Sequence, residues 1–363
     1  MIRDWHAKIQ NGEKSAVAFT EACFKLIEEK DPTLHAFLTL RQEAALKEAE
    51  LVDARVKNGE TIDLLAGIPG GIKDNIVLAH ERTTAGSKML DNYIAPYDAG
   101  VIEKLRKVGA VMVGKTNLDE FALGSSTEHS AYGPTKNPVD ETRVPGGTSG
   151  GSAAAVAAGM VPWALGSDTG GSIRQPAAFT GIYGLKPTYG RVSRSGLIAA
   201  ASSLDQIGPM ATSVEDVAIV LSRIAGADPL DGTAENRPVL AYEDKLTPDI
   251  HGKKVGIPEE YFSQDLNPRV REVAEQTIET LKTLGAEIVP LRLPNSRFAL
   301  PVYYIIQPSE LSSNLARFDG ICYGLSVNDG ELSSGNKTGL LETYLDTRRV
   351  GLGSEAKRRI MMG

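Results

Sequence analysis

VPGGTSGGSAAAVAAGMVPWALGSDTGGSIRQPAAFTGIYG, residues 144–184, contains two clusters of glycine, serine and threonine. The clusters, at 146–152 and 167–172, flank a short alanine-rich segment. Glycine loses much conformational entropy on folding, so folded chains keep such clusters where backbone approaches a ligand or adopts positive φ. Interleaved hydroxyl and N–H groups suit acyl transfer, which needs a nucleophile and an oxyanion cradle. A flexible linker is the alternative, but linkers seldom flank an apolar run such as 153–158.

Strands alternate with helices on both sides of this stretch. Apolar spacing predicts a helix at 99–108, followed by a strand at 110–113. A later unit repeats the pattern, with a strand at 254–257, a helix capped by Asn267 and a strand at 286–291. This alternation predicts an α/β fold with a central mixed, largely parallel β-sheet, covered by helices on both faces.

The domain organisation follows from the change of pattern near residue 60. Residues 1–60 are predicted to be helical, with amphipathic helices at 19–27 and 42–56, and to pack on the core. Residues 61–363 are predicted to form the catalytic domain, giving one structural domain overall. The polar segment 328–337 is predicted to be a loop.

Composition excludes several classes of function. Apolar content of 42% and charged content of 23% are typical of a soluble globular protein. A net charge of −7 argues against direct binding of a nucleic-acid backbone. The two cysteines, Cys23 and Cys322, fit a reducing cytosol. The first residues lack an apolar signal segment, and no apolar run has membrane-spanning length. We therefore expect a cytoplasmic protein.

Residues 109–116, GAVMVGKT, match the phosphate-binding pattern G-x4-G-K-[ST] letter by letter. That pattern needs a strand before its first glycine and a loop wrapped around phosphate. Here a helix precedes Gly109, and the four intervening residues are predicted to be a strand. Nucleotide binding at this segment is therefore not expected.

Residues 147–151 match G-x-S-x-G, which would make Ser149 the nucleophile of an α/β-hydrolase. That mechanism needs an acid and then a histidine later in the chain. Only His251 follows Ser149, and it lies in a polar segment. The chain also lacks H-E-x-x-H and C-x-x-C, so no metal site is expected.

Lysine is the main alternative to histidine as a base. Burial penalises the ammonium form, so a buried lysine loses its proton near neutral pH. Lys73 lies in the glycine- and proline-rich apolar stretch 67–77 and is the candidate. A plain surface charge remains the alternative reading.

Three motifs together resemble the amidase signature family: GIKDN at 71–75, PGGTSGGS at 145–152 and GSDTGGSIRQP at 166–176. The resemblance extends over essentially the whole chain. Within the family it is greatest to the glutamine-hydrolysing subunits of tRNA-dependent amidotransferases. The length differs, because family members normally continue well past the KRRI segment at 357–360. We therefore expect a chain truncated at its C-terminus.

The resemblance implies a triad of serine, cis-serine and lysine. It makes Ser172 the acyl-enzyme nucleophile, Lys73 the base and Thr148 the hydroxyl that relays the proton between them. The family usually has serine where this chain has Thr148, and Ser149 could substitute as the relay. Further residues implied by the resemblance are the oxyanion donors Thr169, Gly170, Gly171 and Ser172, the supporting residues Ser149, Asp168 and Arg174, and the substrate-binding residues Tyr303, Tyr304, Arg358 and Arg359.

The resemblance also implies partners. The chain would hydrolyse glutamine and supply ammonia to a heterotrimer completed by subunits B and C. ATP and Mg would be used by the partner, which would also bring glutamyl-tRNA, so this chain would hold no cofactor. Two alternatives are a stand-alone amidase of small amides and a catalytically weak assembly subunit.

Overall fold

The computed structural model describes residues 1–328 and 339–363, so the predicted loop at 328–337 lies outside the described residues except for Asn328. The helices are α1 (Ile2–Gln10), α2 (Ala16–Leu34), α3 (Gln42–Lys57), α4 (Gly100–Val108), α5 (Gly150–Ala157), α6 (Arg174–Thr180), α7 (Val214–Ile224), α8 (Pro268–Thr283), α9 (Ala299–Leu315), α10 (Leu340–Gly351) and α11 (Ser354–Met362). The strands are β1 (Phe37–Leu40), β2 (Pro69–Lys73), β3 (Val111–Thr116), β4 (Trp163–Asp168), β5 (Tyr183–Gly184), β6 (Gln206–Ala211), β7 (Lys254–Pro258) and β8 (Glu287–Leu291).

A six-stranded sheet in the order β1-β3-β2-β4-β6-β5 forms the centre of the fold. Strand β2 pairs in parallel with both β3 and β4. Strand β1 is antiparallel to β3, and β6 is antiparallel to β4 and β5. Four of the six strands therefore point one way, and β1 and β6 point the other. The mixed α/β class predicted from the sequence is confirmed.

Every residue of the four central strands, β2, β3, β4 and β6, is buried. Helix α5 packs against β2, β4 and β6, and α7 packs against β4 and β6. Gly70 of β2 lies against the ring of Trp163, the first residue of β4, where a Cβ atom would overlap the indole. Close contact between these two strands therefore requires glycine at that position.

The turn between α4 and β3 shows how local sequence sets the strand. Gly109 ends α4 with a φ of 85°, in the left-handed region that glycine adopts without cost. Residues 111–116 then form β3, which pairs with β1 and β2. The predicted strand is therefore confirmed, and residues 111–116 of this segment form a buried strand and not a loop wrapped around phosphate.

The described residues group into two compact units. The first comprises Met1–Glu243 and Gln307–Gly363, and the second comprises Asp244–Ile306. This grouping does not follow residue 60, and the predicted assignment of 1–60 and 61–363 within one domain stays a prediction. Within residues 1–60, strand β1 interrupts the predicted helices.

The second unit contains the predicted strand-helix-strand pattern. Strands β7 and β8 pair in parallel, and α8 connects them. The side chain of Asn267 caps α8 by accepting a hydrogen bond from the N–H of Arg269. The apolar spacing of residues 270–281 in the sequence also predicts a buried face on α8, but Val270 and Val273 on that face are exposed.

A helix that spans a bilayer must be both long and apolar. Within residues 1–328 and 339–363, no helix has the length and apolarity to cross a membrane.

Candidate active site

Lys73 and Asp168 are the last residues of two neighbouring parallel strands. Strand β2 ends at Lys73 and β4 ends at Asp168, and Ile72 pairs with Leu165 between them. The carboxyl ends of parallel strands meet at one edge of a sheet, where α/β proteins commonly bind ligands. The glycine-rich loop before α5 reaches the same edge.

Lys73 is fully buried, and its amine contacts three hydroxyl groups. Lys73 Nζ donates to Thr148 Oγ1 at 2.7 Å, to Ser149 Oγ at 2.8 Å and to Ser167 Oγ at 2.9 Å. A longer contact of 3.3 Å reaches the Ser167 carbonyl oxygen.

The pKa of Lys73 is strongly perturbed. Burial lowers it from 10.5 to about 7, and the negative charges of Asp119, Asp168 and Asp205 oppose this shift only in part. The amine is therefore able to lose and regain a proton near neutral pH, as expected for the buried lysine singled out in the sequence.

Thr148 lies two residues before the start of α5 and is fully buried. The peptide bond between Gly147 and Thr148 is cis, matching the position at which the resemblance places a cis residue. The structure thus brings the threonine hydroxyl, in place of the usual serine, to the lysine amine. Ser149 reaches the same amine, so both candidates for the relay hydroxyl contact Lys73.

Ser172 lies in the loop between β4 and α6, and 8% of its surface is exposed. Its carbonyl oxygen accepts a hydrogen bond of 3.1 Å from the N–H of Ser149, which fixes this loop beside the one that carries Thr148. Among the described residues, no hydrogen bond joins the hydroxyls of Ser172 and Thr148. The structure therefore contains the contact between lysine and threonine, but the threonine–serine contact is not formed.

Asp168 organises the loop that carries Ser172. Its carboxylate accepts hydrogen bonds from the N–H groups of Gly171 and Ile173, and it forms an ion pair with Arg174 at 3.0 Å. Burial raises the pKa of Asp168, but the hydrogen bonds from Arg174 and the backbone outweigh burial, so this pKa lies below its usual value. Because the N–H of Gly171 is engaged by Asp168, it is not directed at a bound oxyanion in this conformation.

Thr169, Gly170 and Ser172 are the remaining predicted oxyanion donors. Among the described residues, none of their N–H groups has a hydrogen-bond acceptor. The side chain of Thr169 donates to Asp205 at 2.5 Å, and Asp205 also accepts from the N–H groups of Ala200 and Ala201. These bonds fix the start of the loop from the side of β6.

Arg358 and Arg359, predicted to meet a carboxylate, both contact one acid on α11. Arg358 Nη2 lies 2.6 Å from Glu355 Oε1, and Arg359 Nε lies 2.7 Å from the same oxygen. The bond from Arg358, together with Arg359, lowers the pKa of Glu355 to about 2. Arg359 is buried and also donates to Gln307 at 3.0 Å, whereas Arg358 is half exposed.

Tyr303 and Tyr304 lie on the part of α9 that belongs to the second unit. Their rings meet edge to face, with centroids 5.4 Å apart.

Three residues at this edge of the sheet were not singled out from the sequence. Ser167 contacts Lys73, Asn75 donates to Ser167 Oγ at 2.9 Å, and Asp205 binds Thr169. Ser167 and Asn75 stand inside the motifs quoted above, but a single polar letter there does not indicate what it contacts. Among residues 1–328 and 339–363, no cluster of three or more His, Cys, Asp or Glu side chains could hold a metal ion.

The family model described as Amidase matches residues 18–363. The chain belongs to the amidase family. The A subunit of glutamyl-tRNA(Gln) amidotransferase from Cyanothece sp. (strain PCC 7425 / ATCC 29141) is 54% identical over 362 residues, which is 100% of this chain and 74% of that protein. The predicted family is confirmed.

Solved structures agree with this assignment. The crystal structure of the A subunit of glutamyl-tRNA(Gln) amidotransferase from Thermotoga maritima is 40% identical with a TM-score of 0.74, covering 96% of this chain and 67% of that one. Native peptide amidase from Stenotrophomonas maltophilia is 33% identical with a TM-score of 0.80, covering 96% of this chain and 78% of that one. The amidase-signature fold is therefore shared by both kinds of protein.

Proposed function

We propose that this amidase hydrolyses the side-chain amide of glutamine, as the glutaminase component of a tRNA-dependent amidotransferase. The ammonia released would convert Glu-tRNA(Gln) to Gln-tRNA(Gln), or Asp-tRNA(Asn) to Asn-tRNA(Asn). The observation that carries the proposal is the contact of 2.7 Å between the buried amine of Lys73 and the hydroxyl of Thr148. It is supported by 54% identity to the amidotransferase component from Cyanothece.

In the proposed mechanism, Lys73 is the base that starts the reaction. Its pKa of about 7 leaves a substantial fraction of neutral amine at physiological pH. The neutral amine takes the proton of Thr148, and Thr148 takes the proton of Ser172 as Ser172 Oγ attacks the amide carbon. In the part of the chain that the structure describes, no hydrogen bond joins the Thr148 and Ser172 hydroxyls, so the proposed transfer requires these two groups to lie within hydrogen-bond distance when the reaction starts.

The tetrahedral intermediate places a negative charge on the former amide oxygen. We assign its stabilisation to the N–H groups of Thr169, Gly170 and Ser172, since Gly171 donates to Asp168. Loss of one such donor typically lowers the rate by about 10²- to 10³-fold. The C–N bond then breaks, the proton passes to the leaving ammonia, and water hydrolyses the acyl-enzyme.

Arg358 and Arg359 are proposed to meet the α-carboxylate of glutamine. Their shared partner, Glu355, holds both guanidinium groups on one side of α11. Arg358 is the more exposed of the two and therefore the better candidate for direct contact. Tyr303 and Tyr304, on the second unit, stay proposed as substrate-binding residues.

The partners follow from the same proposal. Subunits B and C would complete a heterotrimer, ATP and Mg would be used by the partner that binds tRNA, and the reaction would take place in the cytoplasm. This chain itself would need no cofactor, since the proposed chemistry uses only its own hydroxyl and amine groups.

The TM-score of 0.80 to a peptide amidase favours a second candidate, a stand-alone amidase of small or peptide amides. The two candidates differ in substrate and in their need for partners. Ammonia release from glutamine that increases on adding partner subunits supports the first. Turnover of simple amides that is independent of glutamine and of partners supports the second.

The catalytic assignment is tested by trapping the acyl-enzyme. The chain is incubated with a glutamine-analogue electrophile, and the modified residue is located by peptide mass spectrometry. We expect the label on Ser172. Ser172→Ala should abolish both labelling and ammonia release, whereas Ser313→Ala, which removes an exposed hydroxyl on α9, should leave both unchanged. Labelling of Ser149 would overturn the roles, and an active Ser172→Ala complex would support an assembly role instead.

A further inference from the structure

The amine of Lys73 is surrounded by three hydroxyl groups, of which the proposed proton relay uses only one. Thr148, Ser149 and Ser167 lie 2.7, 2.8 and 2.9 Å from Lys73 Nζ. A neutral amine has two N–H bonds and one lone pair. For Lys73 to act as a base toward Thr148, its lone pair must face that hydroxyl, and its N–H bonds must be directed elsewhere.

The proton of Ser149 is already committed. Ser149 Oγ donates to the carbonyl oxygen of Ser167 at 3.1 Å, and it accepts weakly from the N–H of Ser167 at 3.3 Å. A hydroxyl carries a single proton. Ser149 therefore meets Lys73 as an acceptor, which takes one N–H bond of the amine.

The hydroxyl of Ser167 is also an acceptor toward Lys73, and it accepts a second hydrogen bond from Asn75, which follows β2 in the chain. Asn75 Nδ2 donates to Ser167 Oγ at 2.9 Å, and Lys73 Nζ donates to the same oxygen. Both lone pairs of this hydroxyl are then occupied by donors. Ser167 and Asn75 are 3% and 2% exposed, so water does not compete for these bonds.

We infer that Ser167, held by Asn75, is a positioning residue for the base: with Ser149 it accepts both N–H bonds of neutral Lys73 and thereby turns the lone pair toward Thr148. Thr148 is then the one hydroxyl of the three whose proton is free to move to the amine. This inference rests on the proposed function, because it concerns the direction of the same proton transfer.

Ser167 also affects the equilibrium between the protonated and the neutral form of the Lys73 amine. A hydroxyl that accepts from an ammonium makes a stronger bond than one that accepts from a neutral amine. Removing Ser167 Oγ should therefore lower the pKa of Lys73. The carboxylates that act on Lys73, namely Asp119, Asp168 and Asp205, remain in place in such a variant.

Ser167→Ala is the variant that tests the inference, using ammonia release from glutamine as a function of pH. We expect kcat to fall about tenfold, the value for one hydrogen bond of about 1.4 kcal/mol, with KM for glutamine unchanged. The acid limb of kcat/KM, which reports the free enzyme, should move to lower pH by up to about one unit. Merely loosened packing would admit water and move that limb toward higher pH.

Ser152→Ala is the matched control. Ser152 is a buried serine on α5 whose hydroxyl donates to the carbonyl of Leu165 in β4 at 2.9 Å, and it has no hydrogen bond to Lys73 among the described residues. The Ser152→Ala variant should be less stable than wild type, but the acid limb of its kcat/KM profile should not shift. If Ser167→Ala does not fold, Ser167→Cys keeps the shape with a weaker acceptor and should show the same shift to a smaller extent.

The outcomes separate this inference from the proposed function. Wild-type chain that neither releases ammonia nor labels at Ser172 contradicts the function. The positioning role alone is overturned if the wild-type chain is active and Ser167→Ala leaves kcat and the acid limb of kcat/KM unchanged. The same holds if Ser167→Ala moves that acid limb to higher pH.

Discussion

Replacing Lys73 by methionine should make the protein more stable and inactive at the same time. The shift of the Lys73 pKa from 10.5 to about 7 means that the fold disfavours the charged amine by about 5 kcal/mol, at about 1.4 kcal/mol per unit. Methionine has a similar length and no charge. The hydroxyls of Thr148, Ser149 and Ser167 would each lose a hydrogen bond of about 1 kcal/mol. The expected net gain in the free energy of unfolding below pH 7 is therefore about 2 kcal/mol.

The pH dependence of this difference has a definite sign. Between pH 7 and 10.5, Lys73 binds fewer protons in the folded chain than in the unfolded chain. Wild-type stability from this group therefore rises with pH across that window and is lowest below it. The methionine variant lacks this contribution. Its advantage should be greatest below pH 7 and should reverse toward pH 10.5, where only the lost hydrogen bonds remain.

The measurement is urea unfolding of both proteins between about pH 6 and 9.5, followed by tryptophan fluorescence, since Trp163 is fully buried beside β2. Ionisable groups that do not interact with Lys73 titrate equally in both proteins and cancel in the difference, whereas Asp119, Asp168 and Asp205 interact with its charge. Lys47→Met, which removes an exposed amine, is the control and should show no such dependence. A difference between Lys73→Met and wild type that stays constant over this range would refute a strongly desolvated lysine.

Two further predictions concern single side chains. Thr148→Ser should keep or raise the rate of ammonia release, whereas Thr148→Val, which has the same shape without the hydroxyl, should lower kcat by about 10²-fold or more; an active valine variant would transfer the relay to Ser149. Burial raises the pKa of Cys23 to about 12, so a thiol-alkylating reagent should modify exposed Cys322 in the native protein and Cys23 only after unfolding. Rapid native labelling of Cys23 would show that α2 opens readily.

The sequence predicted elements best where the pattern was local. Helix α8 begins at Pro268 after its Asn267 cap, and β3 follows the left-handed Gly109, because these signals depend on near neighbours alone. Strand β1 was missed because its four residues stand between two long helices and acquire their conformation from pairing with β3. The exposure of Val270 also shows what the sequence does not determine, because the spacing of apolar residues predicts an apolar helix face but not which element covers that face.

The candidate site shows a similar division. Lys73 could be singled out because a lysine in an apolar, glycine-rich stretch is unusual, and the structure buries it completely. Ser167 could not, because its contact with Asn75 joins residues 92 positions apart. The pairing of Arg358 with Glu355 also escaped prediction, although the two residues stand three positions apart on one helix.

The three residues proposed for catalysis come from widely separated parts of the chain and reach one edge of the sheet only when β2 and β4 pair. Ile72 and Leu165, which set that pairing, are 93 positions apart, so the site depends on a contact that is slow to form. Helix content can recover early in refolding, but the lysine amine reaches its hydroxyl partners only when the central strands have registered. Recovery of amidase activity should therefore lag behind the circular dichroism signal, and enzymatic turnover would be the more faithful measure of how much chain has reached its final topology.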